Sequence, residues 1–197
     1  MNSATRVDED IGANCIHAGD QRPDLPHSRR SAITGCNTMS VLNHRSFTIR
    51  EDDLSSKATR DLIRLHLDDM YANSPPESVF ALDVSGLKAP DVTVWTAWVG
   101  DQIAGIGALR DLGSNSGELK SMRTHPQFLR RGVAAALLEH IIGVARARGM
   151  RRISLETGTG LAFEAALSLY RRRGFVDGRA FAKYRPSAVN QFLHLSL

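Results

Sequence analysis

At 197 residues, 42% of them hydrophobic, the chain holds enough apolar material for one well-buried domain, and no run approaches the roughly 18 apolar residues that a membrane-spanning helix needs. Its net charge of +4 hides an asymmetry: residues 1–117 carry 11 Lys+Arg against 16 Asp+Glu, and residues 118–197 carry 14 against 5. A basic half of this kind points to a polyanionic partner (a nucleotide cofactor, nucleic acid or an acidic surface), although a solvated helix face would account for Arg146, Arg148, Arg151 and Arg152 without one.

Residues 1–44 are rich in Ser, Asn, Asp, Gly, Pro and Arg with no sustained period. They read as a disordered tail ahead of a domain spanning 45–197, with Met39 as a conceivable internal start. The N-terminus has no apolar core and mixes acidic residues with its arginines, so no targeting signal is read and a cytoplasmic location is expected. Cys15 and Cys36 lack metal-ligand spacing and read as free thiols; no metal is expected.

From Phe47 the pattern sharpens. FTIRE alternates as a short strand. Ser56 to Ala72 places Leu62, Leu65, His66, Asp69, Met70 and Asn73 along one side, a helix with a partly polar inner edge. Two prolines in SPPESVFALD end it. VTVWTAWV and IAGIGALRD form a hairpin about Gly-Asp-Gln, LGSNSG is a loop, and ELKSMRT is a third alternating strand. A helix over roughly 130–148 buries Val133, Leu137, Leu138, Ile141, Ile142 and Ala145, and Gly149 ends it. RISLE is a strand, ETGTG a turn, and FEAALSLYRRRG a helix closed by Gly174. FVDGRAFAKY and QFLHLSL supply the last strands. The order strand-helix-strand-strand-strand-helix-strand-helix-strand-strand predicts an α/β sheet with helices on both faces.

The stretch LRRGVAAALLEH raises a chemical question. A strand that enters a glycine turn and then a helix presents free amides at the helix start, which together with the helix dipole make an anion site. Gly132 lets a phosphate approach the backbone, and Arg130 and Arg131 add charge nearby. Neither G-x-x-x-x-G-K-[ST] nor G-x-G-x-x-G is present. Taken alone, an ordinary strand-to-helix junction explains the turn as well.

MRTHPQFLRRGVAAALLEHI followed by LETGTGLAFEAALSLYRRRGF resembles the acetyl-CoA-binding core of the GNAT superfamily of N-acetyltransferases. The first stretch is similar to the family's fourth strand, pyrophosphate loop and third helix. The second is similar to its fifth strand and fourth helix, ending in A-x-x-x-Y-x-x-x-G-F at Ala166, Tyr170 and Gly174-Phe175. The resemblance runs over about 45–197. It implies a GNAT fold: a central mixed, mostly antiparallel sheet with a splay between strands 4 and 5. It also implies acetyl-CoA as co-substrate and an amine as acceptor. The chain departs from the family at Leu129, which replaces a polar residue, and at Phe163, where many relatives place an Asn.

By resemblance, the pantetheine arm pairs with the backbone of Met122, Arg123 and Thr124. The pyrophosphate sits on the amides of Leu129, Arg130, Arg131, Gly132, Val133 and Ala134. The Met122 amide meets the oxyanion, and Tyr170 protonates the leaving thiolate. Glu118 is the first candidate base and Glu156 the second, with a water chain as a third route. On the acceptor side stand His66, Met70, Ser74, Glu77, Ser78 and Glu156; Trp95 and Trp98 read as packing. A non-catalytic acyl-CoA sensor and a transferase for longer acyl groups remain alternatives. Nucleic acid is not expected as partner, because the basic stretch lacks interleaved aromatics. A small amine, an amino acid and a protein amine all remain open as acceptor, as does dimerisation through the C-terminal strands.

Overall fold

The computed structural model describes residues 47–197; the expected tail, both cysteines and Met39 lie outside them. Strands β1 (Thr48–Glu51), β2 (Val92–Val99), β3 (Gln102–Gly113) and β4 (Ser116–Thr124) pair antiparallel in chain order. β5 (Arg152–Gly158) then joins β4 in parallel, β7 (Asn190–Ser196) pairs antiparallel with β5, and β6 (Val176–Asp177) lies at the edge. The result is a seven-stranded mixed sheet in the order β1-β2-β3-β4-β5-β7-β6. Four helices complete it: α1 (Lys57–Asn73), α2 (Val84–Leu87), α3 (Val133–Ala147) and α4 (Glu164–Arg172). Among the described residues no helix is long and apolar enough to cross a membrane.

Local chemistry sets the helix starts. The Ser56 hydroxyl accepts from the Thr59 amide at 3.0 Å and caps α1. The Thr59 hydroxyl in turn donates to Asp52 Oδ2 at 3.0 Å, as does Thr96 Oγ1 at 2.9 Å. One carboxylate therefore ties the α1 start to β2. Asp83 caps α2, accepting from the Gly86 amide at 2.8 Å.

Strand alternation divides the core. Trp95, Leu109, Leu119, Ile153 and Leu155 share a cluster with α3 and α4, whereas Val94, Trp98, Ile106 and Ala108 pack with Leu62 and Ile63 of α1 and Leu87 of α2. Both tryptophans are packing residues, as expected. The buried side of α3 is the expected six residues. α3 lies close to the sheet because β3 offers it two glycines. A Cβ at Gly105 would fall 2.7 Å from Val133 Cγ1 and 3.0 Å from the Arg123 carbonyl. Gly105→Ala is therefore expected to cost about 1–3 kcal/mol of stability, seen as a lower urea midpoint at unchanged slope.

Four sequence expectations are corrected. α3 begins at Val133, not near 130, because Arg130 and Gly132 adopt positive φ (58° and 86°). β5 runs on through Thr157-Gly158, where a turn was expected, because β7 pairs with it as far as Gly158↔Asn190. β3 likewise extends to Gly113, so the expected six-residue loop shrinks to a tight turn at Ser114-Asn115. Only Val176–Asp177 of FVDGRAFAKY forms a strand. The chain then leaves the edge, and the Phe181 ring lies edge-on to Phe192 and His194 of β7. Aromatic packing there replaces a hydrogen-bonded ladder.

Candidate active site

β4 and β5 are hydrogen-bonded neighbours only over Ser116–Glu118 and Arg152–Ser154, although β4 continues to Thr124 and β5 to Gly158. Beyond that short contact the strands part, and a wedge opens between them. A bulge sharpens the departure. Ala108 faces Lys120 and Ile106 faces Arg123, so Ser121 and Met122 together stand opposite the single Gly107. Ser121 has φ +52°. A bulge leaves its extra residue outside the ladder, which frees backbone amide capacity where the strands separate.

β4 leads through a short 3-10 turn, Pro126–Phe128, into the loop before α3. Phe128 is buried and anchors the turn, while Leu129, 58% exposed, points outward. Gly132 stands at the N-cap with no side-chain cap, and the first turn of α3 carries no acidic residue. The first helical bond runs from Ala136 to the Gly132 carbonyl, so the amides of Val133, Ala134 and Ala135 come before the helix ladder. A substituent at Gly132 would meet nothing within 4 Å, so glycine serves the positive φ and the site is open. Amides at a helix start, the positive end of a 15-residue helix and two exposed arginines fit a polyphosphate.

The residue pattern of the Acetyltransferase (GNAT) family matches residues 59–175. The chain belongs to the GNAT acetyltransferase family. It is 51% identical over 151 residues to the uncharacterized N-acetyltransferase YedL of Escherichia coli, covering 77% of this chain and 95% of that one. It is 34% identical to the IAA acetyltransferase of Azospirillum brasilense, covering 67% and 84%. A Bacillus subtilis acetyltransferase solved in complex with CoA shares the fold, with a TM-score of 0.54, 19% identity and coverage of 77% and 99%. The chain is thus an acyltransferase with the expected mixed sheet and splay.

In this acetyltransferase the wedge forms a cavity of about 180 Å³. α1 contributes His66 and Met70, and Ser74 and Ser78 follow from the connection after it. β4 contributes Lys120 to Arg123, β5 contributes Leu155 to Gly158, and α4 contributes Ala166 and Tyr170. Eight of the seventeen expected site residues are therefore brought together. Glu77 is exposed and does not line the cavity, nor does Thr124, and the 129–134 loop lies outside it.

The two carboxylates have different fates. Glu156 faces the cavity, and burial, reinforced by Glu118 and opposed by Lys120, pushes its carboxyl up to about 7. Glu118 is 1% exposed and does not line the wedge. It accepts from the Tyr184 hydroxyl and pairs with Lys120 Nζ at 3.3 Å. Lys120 also donates to the Phe80 carbonyl at 2.9 Å and to the Tyr184 hydroxyl at 2.8 Å. Two donors, the Lys120 ammonium and the Tyr184 hydroxyl, with the Phe80 carbonyl and one carboxylate thus close a network that ties β4 to the segment after α1 and to the segment before β7. Sequence reasoning missed Lys120, Tyr184 and Phe80. The alternation Glu118-Leu119-Lys120 carried half of the signal, since it puts both charges on one face of a strand.

Tyr170 is 7% exposed and lines the wedge, with Phe175 beside it at 5.7 Å between ring centroids. Burial holds its hydroxyl well above the usual phenol range, so it is protonated at neutral pH. Among the described residues it forms no hydrogen bond, which leaves the proton available to a group in the cavity.

Proposed function

We propose that this protein transfers the acetyl group of acetyl-CoA directly to a primary amine. The observation that carries the reading is the wedge between β4 and β5, with a carboxyl raised to about 7 on one strand, a protonated tyrosine on the adjacent helix and an open amide loop at the start of α3. The phosphates of the co-substrate rest on the amides of Leu129 to Ala134, with Arg130 and Arg131 alongside. The pantetheine arm follows the free edge of β4 at Met122, Arg123 and Thr124. Acetyl, the small acyl group, suits a cavity of this size.

Transfer asks three things of the chain's own residues. Glu156, whose carboxyl burial pushes up to about 7, takes the proton of the attacking amine in its ionised form. The Met122 amide, at the bulge, donates to the oxygen that gains charge as the new C–N bond forms. Tyr170 gives its proton to the sulfur as the C–S bond breaks. Glu118 holds the architecture through Tyr184 and Lys120. The acid and base assignments follow from one effect acting on two groups: burial raises both, which keeps the phenol protonated and brings only the carboxyl near neutrality.

Thiol release from acetyl-CoA across a panel of amines tests this reading. Acceptor-dependent release is expected, and Tyr170→Phe should lower kcat roughly 10- to 100-fold with little change in acetyl-CoA affinity. Undiminished kcat would remove Tyr170 from the reaction. No release with any amine, while acetyl-CoA still raises the melting temperature, would contradict transfer and favour an acyl-CoA sensor.

A further inference from the structure

Four buried side-chain atoms among the described residues have no hydrogen-bond partner: His66 Nδ1, Ser121 Oγ, Arg123 Nε and His140 Nε2. The last lies on α3 beside Trp95, away from the wedge. The other three belong to residues that line the one cavity. His66 and Ser121 are each only 8% exposed. Native interiors rarely leave such atoms unmet, and those that remain point to a ligand or a strained functional site.

The three atoms share a chemical character. Arg123 Nε can only donate, and its neighbouring Nη2 is already committed to Asp69 of α1. The Ser121 hydroxyl and a neutral imidazole can each donate as well. His66 is kept neutral by burial and by the Arg123 guanidinium, which bring it down to about 4. Donors of this kind beside a guanidinium suit a carboxylate, which accepts several hydrogen bonds and carries negative charge.

Their place in the fold separates them from the co-substrate. Met122, between Ser121 and Arg123 in sequence, turns to the opposite face. A Cβ on Gly107 would lie 2.6 Å from its sulfur and 2.9 Å from Ile141 Cδ1 of α3. Arg123, ion-paired with Asp69 of α1, is thus on the α1 side, Ser121 stands at the bulge beside it, and the phosphate loop leads into α3 on the other. Across the wedge from the donors stands Glu156 of β5, suited to an amine. One wall is rich in donors, its guanidinium shared with Asp69, and the other offers a carboxyl.

We infer that the acceptor is a small amino acid, whose carboxylate is received by His66, Ser121 and Arg123 while its amine faces Glu156. The inference rests on the proposed transfer but is tested separately from it. The full chain is assayed with proteinogenic amino acids, their carboxamides, their methyl esters, the corresponding decarboxylated amines and short peptides. At least one amino acid is expected to exceed its uncharged counterparts by roughly 10-fold or more in kcat/KM, the usual worth of one charge-assisted contact. Ser121→Gly removes the hydroxyl and suits the positive φ, so it spares the backbone. It should raise KM for the amino acid several-fold, narrow that preference and leave KM for acetyl-CoA unchanged.

Equal turnover of acid and carboxamide, a preference for peptides, or a preference that Ser121→Gly leaves intact would overturn the inference. A second readout needs no turnover: the melting temperature of the protein with CoA, titrated with an amino acid or with its carboxamide. If nothing is acetylated but the amino acid alone raises that temperature, the carboxylate subsite stands and the transfer reading falls. If neither compound or both raise it alike, the subsite is refuted whatever the assay shows.

Discussion

Replacing Glu156 with Gln is expected to lower kcat by about 100- to 1,000-fold, within the range a positioned general base contributes. Wild-type kcat, measured at saturating acceptor, should rise with pH through about 7 and then level, because the active form is the carboxylate and burial has brought its pKa there. The variant should lose that limb, since an amide does not titrate. The stability of the same variant should move the other way. A carboxyl whose folded pKa lies above its ordinary value of 4.5 contributes most below that value. Its contribution is lost as pH rises through 7, when the ionised form must be held in a poorly solvated site. Glu156→Gln should therefore melt slightly higher than wild type at pH 8. An unchanged pH profile would show that the proton leaves by another route.

The second large effect is on stability. Lys120→Met leaves Glu118 buried with no cation, at 2% side-chain exposure. Removing one partner of a buried pair costs about 3–5 kcal/mol, because the remaining charge is stranded. Urea unfolding should show that loss as a lower midpoint. Adding Glu118→Gln should recover much of it, since the stranded charge is gone and the amide oxygen still accepts from Tyr184. The coupling between the two changes should then exceed about 1 kcal/mol in a double-mutant cycle. A loss under about 1 kcal/mol would mean the pair behaves like an exposed one.

Much of this was legible in the chain. The period of 3.6 over 133–147 gave the inner face of α3 residue by residue, because a helix buries whatever its stripe dictates. Arg130-Arg131-Gly132 marked the turn before α3, since a glycine ahead of a helical stripe ends the preceding segment and opens the helix. The FVDGRAFAKY segment was misread for a definite reason. Its alternation is compatible with a strand, but a strand needs a partner, and β7 offers it one only over Val176 and Asp177. The remaining aromatics found better partners in one another and in β7.

Glu118 shows the limit at the site itself. Its position at the start of a strand beside the splay suggested a base, and alternation correctly set it on the same face as Lys120. Nothing local said that Tyr184, 66 residues on, would take one of its oxygens. His66 and Ser121 are likewise 55 positions apart in the chain and meet only where α1 crosses the bulged end of β4. The sequence by itself determined most of the strands and helices and the glycine turn before α3, because periodicity and turn chemistry act within a few residues. Which carboxylate is locked in a network and which faces the cavity was decided only by tertiary structure, because what packs over a group comes from distant parts of the chain.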